Sequence, residues 1–137
     1  MDKRHVFVVD NNASLLNSLD FILTAADYGV TTVTNGQEAL EQILASGESD
    51  HRIDLIITDI RMPGLTGLQL IDELNRHEVH VPIVALTAYG STKLTRELKQ
   101  KGCVDCFEKT LNEAELVKRI NSVLRRATPN KVSGSQG

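Results

Sequence analysis

The chain has 137 residues, which is the size of one ordinary domain. Its 15 Lys and Arg residues and 18 Asp and Glu residues give a formal net charge of -3, so a surface built mainly to bind nucleic acid or a membrane is not expected. No apolar stretch approaches the ~20 residues that span a bilayer, and two cysteines without a secretory signal are typical of the reducing cytoplasm, where we expect the protein to reside.

Short apolar runs recur along the chain and predict strands, because they are too brief for helices and rich in β-branched residues. In chain order they are Val6–Val9, Val30–Thr34, Ile53–Thr58, Val81–Leu86 and Val104–Phe107. After each run, apolar residues at spacings of three and four predict a helix. The predicted apolar faces are Leu15, Leu19, Ile22 and Ala26; Ala39, Leu40, Ile43 and Leu44; Leu68, Ile71 and Leu74; Leu94 and Leu98; and Leu116, Ile120, Val123 and Leu124. Gly29 and Gly102 are predicted to end the first and fourth helices.

Strands and helices alternate strictly in this pattern. Five strand–helix pairs predict an α/β fold with a five-stranded parallel sheet and helices on both faces, doubly wound in the flavodoxin-like manner. We expect residues 1–126 to form the domain. Residues 127–137 lack an apolar period and are predicted to be a disordered tail or linker.

Polar side chains follow several of the predicted strands. Asp10-Asn11, Asp59, Thr87 and Lys109 would meet at one edge of the sheet, where ligands bind in open α/β folds. Carboxylate and amide oxygens suit Mg²⁺ or Mn²⁺, while a hydroxyl and an ammonium can hold phosphoryl oxygens. An Asp at a strand end is often only a turn residue, but four strand ends with compatible groups favour a site.

The segments at these strand ends resemble the receiver domain of bacterial two-component response regulators. The resemblance covers about residues 4 to 126, and the Asp-x-x-Met-Pro-x-x-x-Gly segment that begins at Asp59 is its most specific part. The matching segments are Val8-Val9-Asp10-Asn11, Ile56 to Gly67, Ala85-Leu86-Thr87-Ala88 and Phe107-Glu108-Lys109. It implies that the chain is not a stand-alone enzyme but a phosphoprotein of signal transduction.

The resemblance also implies a role for each matching residue. Asp59 matches the aspartate that accepts a phosphoryl group from a sensor histidine kinase or a histidine phosphotransfer domain. Asp10, Asp59 and the backbone carbonyl of Arg61 match the Mg²⁺ ligands. Thr87 and Lys109 match the hydroxyl and the ammonium that contact the phosphoryl group.

Further residues are implied to modulate or transmit the signal. Phe107 matches an aromatic switch residue whose rotamer follows Thr87 and reshapes the face of the fourth helix, fifth strand and fifth helix, which in relatives often forms a homodimer. By position, two residues after Asp59 and Thr87, Arg61 and Tyr89 would lie at the mouth of the site. Arg61 would contact the donor, and Tyr89 would either shield the site from water or be a solvent-facing loop aromatic.

Two positions depart from the family pattern. Asn11 stands where the family has a second acid, so one negative charge is missing, and we predict weaker Mg²⁺ binding. The sequence does not decide whether the Asn11 amide oxygen binds the metal ion. The alternative that phosphotransfer is abolished also stays open. Lys109-Thr110 replaces a Lys-Pro pair; a cis bond before Thr would cost ~3–4 kcal/mol, so we expect a trans bond.

Other interpretations are weaker. Cys103 and Cys106 form a C-x-x-C motif, but they precede a strand instead of opening a helix, and we expect them to pack as small buried or half-buried side chains. An aspartyl-phosphatase would want an acid two residues after the nucleophile, where this chain has Arg61. A pseudo-receiver, which binds partners without phosphorylation, is the main alternative.

Overall fold

Strands and helices alternate along the whole described chain, as the apolar pattern predicted. The structure is a computed structural model and describes residues 3–46, 52–62, 64–88, 90–109 and 112–127. Its elements are β1 His5–Val9, α1 Ala13–Ala25, β2 Gly29–Val33, α2 Gly36–Ser46, β3 Leu55–Asp59, α3 Gly67–Arg76, β4 Ile83–Thr87, α4 Thr92–Gln100, β5 Asp105–Glu108 and α5 Glu113–Ala127. Residues 128–137 lie outside the described ranges.

The five strands form one parallel sheet in the order β2-β1-β3-β4-β5. The chain moves outward from β1 to β2 and then returns to place β3 on the other side of β1, so the strand order reverses between β1 and β3. Val9 pairs with Thr58 across that junction. The carboxyl ends of β1 and β3 therefore lie side by side, at the point where such sheets bind ligands.

The sheet separates two apolar cores. On one face α2, α3 and α4 pack through side chains such as Ile43, Leu70 and Leu98. On the other face α1 and α5 pack through side chains such as Leu19 and Ile120. β3 and β4 are buried along their whole length, which explains their continuous apolar sequence. None of the helices in the described ranges combines the length and apolar character that a bilayer span requires.

The first helix differs from its prediction. Its buried residues are Leu16, Leu19 and Leu23, whereas three of the four predicted residues, Leu15, Ile22 and Ala26, are only half-buried. Leucine or isoleucine side chains are adjacent in the sequence of this helix, so two neighbouring apolar faces are possible. Packing on the sheet determines which of the two faces is buried.

The predicted stop of this helix at Gly29 is also wrong. α1 ends at Ala25, and the left-handed residue after it is Asp27, with a φ of 74°. Aspartate tolerates this conformation better than most residues. Gly29 instead begins β2, one residue before the predicted start. Gly102, with a φ of 97°, follows α4 as predicted.

The last three strands begin and end one or two residues later than the sequence indicated. Asp54 lies before β3, where its carboxylate accepts a hydrogen bond from the His5 backbone N–H at 2.8 Å. At the other end β3 and β4 include Asp59 and Thr87 as their last residues. The backbone of both residues is thus held in the ladder of the sheet.

The start of α3 packs directly against the end of β3. Thr66 caps the helix: its hydroxyl accepts from the Gln69 N–H at 3.2 Å, and the Gln69 side chain accepts from the Thr66 N–H at 2.9 Å. A Cβ on Gly67 would lie 2.1 Å from the backbone oxygen of Asp59. The absence of a side chain at Gly67 is therefore what lets α3 approach Asp59.

Gly67→Ala should destabilise the protein by about 2–3 kcal/mol, because backbone atoms of Asp59 must move to admit the methyl group. Gly64→Ala is the matched control. Gly64 has a φ of 74°, but a Cβ there would meet no heavy atom of the described chain within 4 Å, so only conformational strain of about 1 kcal/mol is expected. Urea unfolding of both variants measures the difference. Equal losses would contradict a special role for the close approach at Gly67.

Candidate functional site

Two carboxylates are buried at the junction of β1 and β3. Asp10 is fully buried and Asp59 is 3% exposed. The Asn12 backbone N–H donates to Asp10 Oδ1 at 2.9 Å, while Asp10 Oδ2 accepts no aligned hydrogen bond within the described residues. A buried carboxylate oxygen without a donor is costly unless a cation compensates it.

Lys109 supplies one such cation. Its Nζ lies 3.0 Å from Asp10 Oδ2 and 3.3 Å from Asp59 Oδ2, so a single ammonium is shared by both carboxylates. The Lys109 backbone N–H donates to the Thr87 carbonyl at 2.9 Å, which fixes the chain just beyond β5. The structure thus brings together Asp10, Asp59 and Lys109, three of the residues that the sequence placed at this edge.

The electrostatics of the site leave an excess of negative charge. Burial, followed by the nearby charge of Asp10, raises the pKa of Asp59, although Lys109 opposes the shift. Burial alone would lower the pKa of Lys109, but its close contact with Asp10 and the charge of Asp59 outweigh that effect and raise it. Two carboxylates and one ammonium sum to a formal charge of minus one. The site can therefore accommodate a further cation.

The remaining predicted residues lie around this centre. Thr87 is 2% exposed and ends β4, whose neighbour in the sheet is β3. The Arg61 backbone N–H donates to Asp59 Oδ1 at a long 3.4 Å, and the Arg61 residue is exposed. Asn11 is also exposed, in the turn after Asp10. Tyr89 and Thr110 lie outside the described residues, and so does the Lys109-Thr110 peptide bond.

Phe107 is not brought together with Thr87, contrary to what the resemblance implied. Phe107 pairs in register with Leu86, and both belong to the core beneath α1 and α5. Side chains alternate along a strand, so Thr87 points to the opposite face of the sheet. The β5 residues on the Thr87 face are Cys106 and Glu108, the register partners of Ala85 and of Thr87 itself. A Phe107 rotamer cannot follow the Thr87 hydroxyl from the other side of the sheet.

Phe107 instead connects β5 to α5. The Arg119 guanidinium lies 4.6 Å from the centroid of the Phe107 ring and pairs with Asp105 at 2.8 Å. Phe107 is fully buried even though β5 is an edge strand. Arg119 thus helps to fix α5 on the edge of the sheet.

Sequence reasoning did not identify the role of Asn12. Besides holding Asp10 through its backbone, Asn12 caps α1, because its side-chain oxygen accepts from the Leu15 N–H at 3.1 Å. The signal was available, since Asn directly before an apolar helical period is a typical N-cap. Capping places the start of α1 beside the carboxylates.

The two cysteines of the C-x-x-C motif pack at the edge of the sheet. Cys103 is buried and Cys106 is half-buried, and both are free thiols, as expected for packing residues. Burial raises the pKa of Cys103 to about 12 and also raises the pKa of Cys106, which disfavours the thiolate form of both side chains. Among the described residues, no group of three or more His, Cys, Asp or Glu side chains is placed to hold a metal ion.

Asp59→Asn should stabilise the folded protein at pH 7 and raise its Tm by about 3–5 °C, the shift that ~1 kcal/mol produces in a domain of this size. The raised pKa of Asp59 means that its ionised form costs folding free energy. The gain should be present above that pKa and disappear as the pH falls through it towards the ordinary carboxyl value. Thermal unfolding between pH 3.5 and 8 tests this. Asp72→Asn, which removes an exposed carboxylate paired with Lys101 at 2.7 Å, should give no gain; the same rise in both variants would contradict the burial argument.

Known proteins share both the sequence and the fold. The response regulator receiver domain profile matches residues 6–121. The transcriptional regulatory protein FixJ of Bradyrhizobium diazoefficiens is 33% identical over 129 residues, which are 93% of this chain and 60% of that relative, so the chain spans less than two thirds of the relative's length.

Two solved structures show the same architecture. The signal receiver domain of a putative Luxo repressor protein from Vibrio parahaemolyticus superposes with a TM-score of 0.86 at 27% identity, covering 96% of this chain and 97% of that one. Full-length FixJ from B. japonicum gives a TM-score of 0.83 at 31% identity, covering 97% of this chain and 63% of that one. The sequence matches, the parallel sheet is flavodoxin-like, and acids stand at the ends of β1 and β3. The chain therefore belongs to the response regulator receiver domain family of two-component signal transduction.

Proposed function

We propose that Asp59 accepts a phosphoryl group from a phosphohistidine carried by a sensor histidine kinase or a histidine phosphotransfer domain. The observation that carries the proposal is the buried Asp59 carboxylate with Asp10 beside it and the Lys109 ammonium at 3.3 Å. An Asp59 oxygen attacks phosphorus, the P–N bond breaks, and its electron pair stays on the imidazole nitrogen. Water later hydrolyses the acyl phosphate and restores the carboxylate.

In this reaction the chain contributes mainly charge and position. Lys109 is fixed by its backbone hydrogen bond to Thr87 and can neutralise phosphoryl oxygens next to Asp59. The Thr87 hydroxyl, at the end of the neighbouring strand, can donate to the same oxygens. Phosphoryl transfer needs little covalent help beyond such stabilisation.

The residues present fit a divalent cation of the Mg²⁺ or Mn²⁺ type. Asp10 Oδ2 is buried without an aligned donor among the described residues, and Asp10 with Asp59 raises the local negative charge beyond what Lys109 balances. Asp10, Asp59, the Arg61 carbonyl and the Asn11 amide oxygen would hold the ion. When bound, the cation neutralises the transferring phosphoryl group.

Arg61 and Tyr89 remain proposed modulators of the site. Arg61 follows Asp59 by two residues and is exposed, so its guanidinium is available to an incoming donor protein. We assign Tyr89 by its position two residues after Thr87, to shield the acyl phosphate from water.

The surface response is proposed to run through Thr87 towards α4 and not through Phe107. Thr87 and Cys106 share the sheet face that α4 covers, and α4 begins five residues after Thr87. A phosphoryl group on Asp59 adds negative charge that draws the Thr87 hydroxyl, and the β4–α4 connection follows. We further propose that the receiver unit runs to Ala127, one residue beyond the predicted boundary because α5 includes it, and that the residues after it are a tail or linker.

Acetyl phosphate with Mg²⁺ should add one phosphoryl group to the chain at Asp59, because this carboxylate lies beside the Lys109 ammonium and, unlike Asp10, matches the phosphoacceptor of the family. Intact-mass measurement detects the gain, which should be absent in Asp59→Asn and retained in Asp72→Asn, an exposed carboxylate control. A folded wild-type chain that gains nothing, from acetyl phosphate or from a phosphorylated histidine phosphotransfer domain, would contradict the proposal. That result would favour a pseudo-receiver that binds partners without phosphorylation.

Asn11→Asp should raise Mg²⁺ affinity about tenfold, or ~1.4 kcal/mol, because the charge count tunes affinity for hard cations. Chemical shifts of backbone amides during a Mg²⁺ titration give the dissociation constants. Asn12→Asp is the matched control, since it adds the same charge one residue away while keeping the oxygen that caps α1. Equal affinities for wild type and Asn11→Asp, or equal gains in both variants, would remove Asn11 from the cation site.

A further inference from the structure

A cavity of about 750 Å³ opens between the amino-terminal ends of α3 and α4. One wall consists of the segment that follows β3 and the start of α3, and the other consists of the residues that lead into α4. Cavities of roughly 300–1,000 Å³ accommodate small organic molecules. We call this feature the α3–α4 cavity.

The walls of the α3–α4 cavity are mainly apolar. Its apolar side chains in the described part of the lining are Ile60, Met62, Leu68 and Leu94. Ile60 and Met62 are buried members of the core beneath α2, α3 and α4. Leu68 and Leu94 pack against that core and are half-buried. An apolar group in the cavity would therefore extend the contacts of an existing core and lose its contact with water, which is favourable.

The polar side chains of the cavity are hydrogen-bond donors. Arg61 carries the charge in the described part of the lining; it is exposed and forms no ion pair with a carboxylate among the described residues. The hydroxyl oxygens of Thr66 and Ser91 accept the capping N–H groups of α3 and α4, so each hydroxyl can still donate its hydrogen. No Asp or Glu stands among the described lining residues. The cavity thus has an uncompensated positive charge beside an apolar surface.

We propose that the α3–α4 cavity binds a small monocarboxylic acid with an apolar body, such as a medium-chain aliphatic acid. The carboxylate pairs with the Arg61 guanidinium, and the apolar body lies against Leu68 and Leu94. The proposal goes beyond phosphoryl acceptance and stands without it, since neither Asp59 nor Lys109 lines the cavity.

Other occupants fit this lining less well. A nucleic acid needs an extended basic surface, whereas the described lining supplies one cation on a chain whose formal net charge is -3. A metal ion needs carboxylate, imidazole or thiolate ligands, which the described lining residues do not provide. An anion without an apolar body would leave the apolar walls in contact with water. Charge complementarity and apolar contact together therefore favour the amphiphilic acid.

Octanoate is the probe, and octanamide and acetate are its matched controls. Octanamide has the same apolar chain without the charge, and acetate has the same carboxylate without the chain. NMR titrations of the full chain, labelled at its leucine and isoleucine methyl groups, give Kd without Mg²⁺ or a phosphoryl donor. Octanoate should cause its largest shifts at Ile60, Leu68 and Leu94, and both controls should bind at least about tenfold more weakly.

Equal affinity for octanoate and octanamide would overturn the proposal, and so would equal affinity for octanoate and acetate. Saturable binding of octanoate with shifts confined to residues outside the cavity would overturn it as well, and so would the absence of saturable binding. Because the titrations contain no phosphoryl donor, their outcome is separate from that of the phosphorylation experiment at Asp59.

Two matched pairs of variants test the lining. Arg61→Gln should weaken octanoate binding about tenfold, whereas Arg96→Gln, which changes an exposed arginine of α4 outside this lining, should cost less than about twofold. Leu94→Ala should cost about fivefold and Thr95→Ala, at the next position and outside the lining, less than about twofold. The second pair covers the case in which Arg61→Gln fails to fold. Equal losses within either pair would overturn the proposal. So would a dimer in sedimentation velocity that Leu94→Ala abolishes, because a second copy would then occupy the cavity.

Discussion

The shared ammonium of Lys109 is the interaction on which the site depends. The sheet order sets β1 beside β3, and that adjacency buries the carboxylates of Asp10 and Asp59 at one edge. Two like charges there would repel each other in a medium that screens poorly. The Lys109 ammonium lies 3.0 Å from the Asp10 carboxylate and 3.3 Å from the Asp59 carboxylate. It reduces their repulsion but neutralises only one of the two negative charges. The residual negative charge would attract a divalent cation, and the Asp59 carboxylate that carries part of it would be the nucleophile of the proposed phosphoryl transfer.

The alternation of side chains across the sheet decides which parts of the molecule can communicate. Thr87 and Cys106 share a face with α4, while Phe107 lies on the other face with α1 and α5. Arg119 stacks on Phe107 and binds Asp105, which holds α5 to the edge strand. α4 has only Leu98 fully buried among its described residues and is therefore the more loosely packed of the two helices. A change of contacts at Thr87 would therefore bear directly on α4, which covers the same face, and not on α5.

The sequence predicts most of this fold, because strands buried on both faces must be continuously apolar and the polar residue that ends each one is conspicuous. Asp10, Asp59 and Thr87 were found in that way. The buried face of α1 could not be predicted, because Leu15 and Leu16 belong to two adjacent apolar faces of the helix. Only contact with the sheet determines which face is buried. The prediction that Phe107 contacts Thr87 was wrong for a related reason. Its spacing from Lys109 does not give the register of β5, and one residue of register moves a side chain to the other face.

The burial of Asp10 and Asp59 suggests a physical reason for an uncharged residue at position 11. A third carboxylate beside Asp10 and Asp59 would add a negative charge to a site where Lys109 is the cation that the described structure provides. The amide removes that repulsion in the resting protein and, for the same reason, removes attraction for a hard cation. We therefore expect Asn11 to lower the affinity for a cation and to stabilise the resting protein. Both effects arise from one charge. Compared with a chain that has three acids, a chain with Asn11 should therefore have a higher free energy of unfolding in its resting state. It should also depend more on Lys109 to neutralise an incoming phosphoryl group.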